Sequence, residues 1–184
     1  SQVPTDVLGA NLTVASKKLA LQADKAFVLL GSKAEVTVAG VIADVKGAFV
    51  GLATAFDEAN VAMGDRAVVL DPATGNTLVD SLGSALNSER AATEAYQGAM
   101  GEYMGIKIYK SNQITATTTV KHCIGIDTSA LVFPKSYDEL DQVNGVDFFG
   151  IAIRGLLVFG VDVVETDTAT HKSDRIIGFD IDHA

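Results

Sequence analysis

Helix-period hydrophobicity dominates the first third of this 184-residue chain, and strand-like patterning fills most of the rest. Leu12, Ala15, Leu19, Ala23, Ala26, Phe27 and Leu30 recur at three- and four-residue steps, one face of a helix. Asn11 supplies a side-chain cap and Gly31-Ser32 a stop. A helix over 12–30 spans about 28 Å at 1.5 Å per residue. Val38, Ile42, Val45, Phe49, Leu52 and Phe56 predict a second helix, closed by the polar Asp57, Glu58 and Asn60. Strand candidates follow at Arg66–Leu70, Ile106–Lys110, 114–120, 130–133, 149–153, 156–164 and 176–181. Helices first and strands later give an α+β class rather than alternating α/β.

Two strand-and-turn blocks stand out, about thirty residues apart. In 64–72, the apolar run Val68, Val69, Leu70 is stopped by Asp71-Pro72, and 71–76 reads as a turn cluster before a broken helical region over 77–98. In 101–112, Ile106 and Ile108 share one strand face, Lys107 and Tyr109 the other, and Ser111-Asn112 turns the chain. The stretch 136–142 reads as a polar loop or short helical turn, and 166–174 as a loop between two strands.

Charge and composition exclude several function classes. A net charge of −9 disfavours a basic nucleic-acid-binding face. The single Cys123 rules out an internal disulfide. The longest apolar stretch, 148–164, is interrupted by Arg154 and Asp162 and rich in β-branched residues, so no membrane span is expected. The start at Ser1-Gln2, without methionine, reads as a processed or excised piece of a longer protein.

Each chemical candidate has a plainer reading. His122 and Cys123 are neighbours on a strand and point to opposite faces, which suits a buried small residue beside a surface histidine. Asp180 and Asp182 share a face around the inward Ile181 and read as a solvated edge; His183, next to last, reads as frayed. Gly98, Gly101 and Gly105 match no phosphate-loop spacing and read as a glycine-rich turn between helix and strand. Asn11-Leu12-Thr13 is an accidental sequon beside a helix cap. Asp65-Arg66 reads as an exposed ion pair worth about 0–1 kcal/mol. No catalytic, cofactor-binding or metal-binding residue is assigned, and no cofactor is expected. The alternative is a small-molecule enzyme or binding domain using Cys123 or the Asp180/Asp182 pair.

Taken in order, several stretches resemble the major capsid (coat) proteins of tailed bacteriophages. They are Leu19, Ala20 and Asp24 in the first helix, then 58–61 (Glu-Ala-Asn-Val) and 66–72 (Arg-Ala-Val-Val-Leu-Asp-Pro). Next come Gly101 and Gly105 leading into 106–112 (Ile-Lys-Ile-Tyr-Lys-Ser-Asn), 124–131 (Ile-Gly-Ile-Asp-Thr-Ser-Ala-Leu) and 178–182 (Gly-Phe-Asp-Ile-Asp).

The resemblance implies a phage major-capsid fold, with a spine helix packed on a long-stranded sheet in a peripheral lobe, plus an axial lobe. By that likeness 1–71 and 160–184 form the peripheral lobe, 12–30 is the spine helix, and 72–159 is mainly axial. It also implies a non-enzymatic structural subunit of the virion, made in the bacterial host cytoplasm. Its partners are copies of itself in pentamers and hexamers around packaged DNA, and other virion proteins. No specific nucleic-acid site and no membrane partner are implied. The family's N-terminal arm and extended loop are expected to be lacking, since the spine helix begins within about a dozen residues of Ser1.

Overall fold

A computed structural model describes residues 5–82, 99–144 and 151–184. Helix α1 (Thr5–Leu29) is uninterrupted and passes into a 3-10 turn, Leu30–Lys33. It starts earlier than expected, so Asn11 lies inside the helix instead of capping it. An interior Asn is only mildly unfavourable, and the surrounding Ala, Leu and Lys carry the helix past it. At the other end, the Ser32 hydroxyl donates to the Leu29 carbonyl at 2.8 Å.

The second predicted helix is two elements. Strand β1 (Ala34–Val41) precedes α2 (Val45–Glu58), with a short 3-10 turn between them. The β-branched run Val36-Thr37-Val38 favours extended backbone, and β1 gains a full parallel ladder with the last strand. Asp44 then caps α2, its Oδ1 accepting from the Gly47 N–H at 3.0 Å. The apolar stripe survives the break. Val45, Phe49, Leu52 and Phe56 are buried in one core, and Val38 and Ile42 pack against it from outside the helix. The polar end of α2 closes on Asn60, which is left-handed (φ 54°), while the Val61 N–H donates to the Phe56 carbonyl at 3.0 Å.

Strand β2 (Arg66–Leu70) appears where expected, but Asp71-Pro72 opens a helix, α3 (Pro72–Leu82), in place of a turn cluster. Pro72 takes the first helical position, where its missing N–H is no loss. Asp71 Oδ2 accepts from the Ala73 and Thr74 N–H groups at 3.0 and 3.4 Å, as an N-cap does. Leu78 and Leu82, one helical turn apart, are buried. The rest of the predicted helical region, 83–98, lies outside the described residues.

Strands β3 (Ala99–Tyr103) and β4 (Ile106–Lys110) form a hairpin whose two-residue turn is Met104 (φ 54°) and Gly105 (φ 73°). Positive φ at both positions is the pairing that matches strand twist. The glycine-rich segment is therefore a β-hairpin, not a helix-to-strand turn; Gly98 lies outside the described residues. The threonine-rich run is a second hairpin. Strand β5 (Thr115–Thr117) turns through Thr118 (φ 50°) and Thr119 into β6 (Val120–Asp127). The single strand expected over 114–120 thus breaks at a turn, and the chain beyond it stays extended to Asp127.

Later come β7 (Leu131–Val132), β8 (Lys135–Asn144), β9 (Ile151–Phe159), β10 (Asp162–Val163) and β11 (Ser173–Asp182). The expected polar loop at 136–142 is thus strand β8, paired antiparallel along β9. The ladder overrides a weak local preference. β9 joins the described part of the 149–153 candidate to the first half of the 156–164 candidate, whose remainder breaks at Gly160 before β10.

The main sheet runs β1-β11-β6-β2-β4-β3, with β5 added beside β6. The two blocks singled out in the sequence are neighbours here: β2 and β4 pair in parallel, from Ala67 opposite Lys107 to Leu70 opposite Lys110. The sheet takes strands from both expected lobes, β1, β2 and β11 from one and β3, β4 and β6 from the other.

Alternation along the strands builds a core on each face. Val68, Leu70, Ile106, Ile108, Cys123, Ile177, Phe179 and Ile181 face α2 and α3. Ala67, Ile124, Ile126 and Ile176 pack with Val28 and Leu30 on the opposite side. Gly125 is needed for the first core, because a Cβ there would sit 2.8 Å from Leu52 Cδ1 and 3.1 Å from Phe56. Phe49 meets Phe179 edge-on at 5.4 Å between ring centroids.

Helix α1 packs on the long-stranded sheet through its last turn. Phe27 and Val28 pack with Ile124, Ile126 and Ile176, whereas Val14, Leu19 and Leu21 are exposed.

Candidate functional site

The side chains proposed for chemistry fall on β6 and β11, which lie side by side with Phe179 opposite Cys123 and Asp180 opposite His122. As the alternation of β6 requires, Cys123 is buried beneath α2 while His122 emerges on the other face. Burial pushes the Cys123 thiol up to about 12, so it stays protonated near neutrality and is no nucleophile.

His122 is held from both sides. Asp180 Oδ1 lies 2.9 Å from its Nδ1 and Thr117 Oγ1 3.0 Å from its Nε2. His122 and Asp180 line a cavity of about 320 Å³ beneath the end of α1, together with Val28, Ser32 and Thr37. Asp182 shares the Asp180 face around the buried Ile181, as predicted, and accepts from the Ala184 N–H at 3.0 Å. The two aspartates thus have separate partners. Among the described residues, no three His, Cys, Asp or Glu side chains are grouped so as to hold a metal ion.

Two expectations are corrected. His183 is not frayed. Its N–H donates to the Thr119 carbonyl at 3.0 Å, and its Nε2 lies 2.9 Å from Thr74 Oγ1 and 3.6 Å from Asp71 Oδ1. Asp71 therefore caps α3 with one oxygen and faces His183 with the other, while the Cys123 thiol reaches that second oxygen at 3.9 Å. The signal for this cluster was Asp71 before Pro72, an N-cap signature that places a carboxylate at the sheet's end.

Arg66 is not an exposed partner of Asp65 either. It is buried, donates to the Val61 carbonyl through Nε and Nη2 at 3.0 and 2.6 Å, and meets Asp57 at 2.6 Å. Its guanidinium lies over the Phe56 ring at 5.8 Å, so it pins the end of α2 to β2.

A second charged group fastens the junction after α1. Lys33 Nζ meets Asp162 at 2.7 Å and Glu165 at 3.4 Å, and Glu165 meets His171 Nδ1 at 3.0 Å. Hydrogen bonding to Lys33 holds Asp162 below the usual carboxylate range, and the bond from His171 does the same for Glu165. All three histidines thus sit against a carboxylate.

The remaining surface carries apolar side chains rather than reactive groups. Val14, Leu19, Leu21 and Leu29 of α1 are exposed, as are Val36 and Val41 on the edge strand β1 and Val50 on α2. Val132, Phe133, Val158 and Val164 form another exposed set, with Phe133 stacked on Phe159 at 5.7 Å. No helix among the described residues is long and apolar enough to cross a membrane.

No protein-family model and no curated protein matches the sequence. Solved structures do match. A chain of Mycobacterium phage Che8 is similar at a TM-score of 0.70 and 22% identity, over 94% of this chain and 62% of that one. The capsid structure of the cyanophage P-SCSP1u is similar at a TM-score of 0.69 and 16% identity, over 100% of this chain and 67% of the other. The chain thus spans about two thirds of the length of the chains it matches, and its fold is that of a phage capsid structure.

Proposed function

We propose that this chain is a structural subunit of a bacteriophage head shell, associating with copies of itself into pentamers and hexamers that enclose DNA. The observation that carries the reading is the fold likeness to a phage capsid along the whole chain. Low sequence identity beside a shared fold fits a role in which shape and packing are kept while individual side chains change.

The surface supports the same reading. Exposed apolar side chains on α1, β1 and the 132–164 region would be covered in an assembly, where interfaces of the obligate kind are more hydrophobic than transient ones. Contacts of the head-to-tail kind close into rings. The net charge of −9 keeps free subunits apart from DNA and from each other until specific contacts form.

The role is non-enzymatic in this proposal. A neutral, buried Cys123 and an Asp180 held by His122 give the alternative reading no nucleophile and no open carboxylate pair. Location in the virion after synthesis in the host cytoplasm, contact with other virion proteins, and the division of 1–71 and 160–184 from 72–159 as peripheral and axial lobes belong to the same proposal.

Electron microscopy of the protein under a range of assembly conditions tests it. Closed shells or ring-shaped capsomers are the expected result. Monodisperse monomers throughout, with none of the protein in purified phage heads, would refute it.

A further inference from the structure

Strand β1 forms an edge of the main sheet. β11 pairs with it on one side, and among the described residues no strand pairs with it on the other. Apart from the Ala34 N–H, which donates to the Gly31 carbonyl, no backbone bond from another described residue reaches that open side between Ala34 and Gly40. The ladder to β11 is irregular only between Ala34 and Val36 and runs regularly from there to Val41. Successive residues of a strand turn their N–H and C=O groups to alternate sides. The stretch 35–40 therefore offers about three donors and three acceptors along an open row of about 20 Å. Its side chains are little covered too: Glu35, Thr37 and Ala39 are exposed, as are Val36 and Val41.

An open edge of this kind is normally blunted by lysine, by proline or by a bulge along its length. Between Val36 and Val41 there is no lysine, no proline and no break in register, and the one charge nearby is Glu35. The chemistry of the row sets what covers it, since a second extended backbone matches donors and acceptors at that spacing. The sequence is also compatible with itself. Laid antiparallel about Val38, Val36 stands opposite the partner's Gly40 and Thr37 opposite the partner's Ala39. Larger side chains then meet small ones, and Glu35 meets the partner's Val41 rather than a like charge.

We propose that β1 is a docking edge for β1 of a second copy of this chain. The two strands pair antiparallel about a two-fold axis, so that two main sheets run on as one. Antiparallel pairing is the more stable ladder, and a two-fold contact uses the same patch on both copies. The inference rests on the reading of the chain as a shell subunit. Rings of subunits make a shell only when a second kind of contact joins one ring to another, and a two-fold contact does so.

Hydrogen exchange on the whole chain, free and associated, reads the contact. Every second amide over 35–40 should exchange fast in the free subunit and gain about tenfold or more protection on association. Association without that gain overturns the docking edge and leaves the shell reading standing. A chain that stays monomeric under all conditions overturns both. Protection that appears only when a different virion protein is added overturns pairing between copies. Charge placement gives a second measurement, by sedimentation. Thr37→Lys with Ala39→Lys sets lysine opposite lysine and should weaken association about tenfold, as should Thr37→Glu with Ala39→Glu. An equal mixture of the two variants should restore it. Undiminished association in either variant alone, or no recovery on mixing, overturns the proposal. If a double variant fails to fold, Ala39→Lys and Ala39→Glu replace the pair and are judged by the same outcomes.

Discussion

Arg66 offers the sharpest test of how this fold is held. Its side chain is 5% exposed, while that of its ion-pair partner Asp57 is 64% exposed. The two halves of the interaction therefore differ in worth. The pair with Asp57 is screened by water on one side and contributes about 0–1 kcal/mol. The two bonds from the guanidinium to the Val61 carbonyl are charge-assisted and contribute about 1.5–3 kcal/mol together. Contact with the Phe56 ring adds about 0.5–1 kcal/mol. Arg66→Met keeps most of the aliphatic volume and removes all three, leaving the Val61 carbonyl short of its donors. The expected loss is about 3 kcal/mol, read as a fall in the urea midpoint at unchanged slope. Asp57→Ala should cost about 1 kcal/mol or less. The reasoning fails if Arg66→Met lies within about 0.5 kcal/mol of the native protein, a typical surface effect. It fails equally if Asp57→Ala is as damaging as Arg66→Met, since the ion pair would then outweigh the bonds to Val61.

Three further outcomes follow from the same geometry. Asp162, Glu165 and Asp167 are held below the usual carboxylate range, chiefly by hydrogen bonds from Lys33, His171 and Thr170 respectively. Their stabilisation is present above the ordinary carboxylate values near pH 4 and is lost as pH falls through the lower folded values; Lys33, raised chiefly by Asp162, keeps its share until pH climbs beyond its ordinary 10.5. A denaturation series from pH 7 down to about pH 2 should therefore lose part of its acid limb in Lys33→Met, and an unchanged limb would contradict the assignment. Cys123 should resist a disulfide-exchange reagent near pH 8 in the native protein and react fully in denaturant; rapid native labelling would mean the thiol is not buried as described. Gly105→Ala, at φ 73°, should lower stability by about 1 kcal/mol or more in a thermal melt, and a stabilising effect would argue against the left-handed turn.

The strongly periodic elements were legible in the sequence, and the ones decided by long-range pairing were not. β2 and β4 were readable because short apolar runs end at plain stop residues. Their adjacency was not, because nothing local in Val68 or Ile108 specifies a partner strand. The stripe from Val38 to Phe56 identified a shared core correctly but not its backbone. Val38 reaches that core from a strand and Phe49 from a helix, and both spacings happen to fit one period. β8 was missed because Asp138, Glu139 and Asp141 read as loop-like until a long antiparallel partner is known. The Thr118-Thr119 turn carries none of the Gly, Asn or Pro that announces a hairpin. At the candidate sites, the opposite placement of His122 and Cys123 followed from strand alternation alone. The Asp71–His183 contact did not, since it joins residues more than a hundred positions apart.

The place of β11 in the sheet has a consequence for how the protein is made. β11 lies between β1 and β6, parallel to β1 on one side and antiparallel to β6 on the other, where Ile176 faces Ile126 and Asp182 faces Val120. It also follows every other strand of this sheet in the sequence. Until it arrives, β1 has no neighbour in the sheet and Phe49 has no Phe179 to meet. The earlier strands of this sheet must therefore wait, partly open, for β11, and the sheet closes by insertion rather than by growth from one edge. Contacts of such long sequence separation fold slowly and leave apolar surface uncovered meanwhile. Deleting β11 should leave a chain that aggregates, because the gap falls inside the sheet and not at its margin.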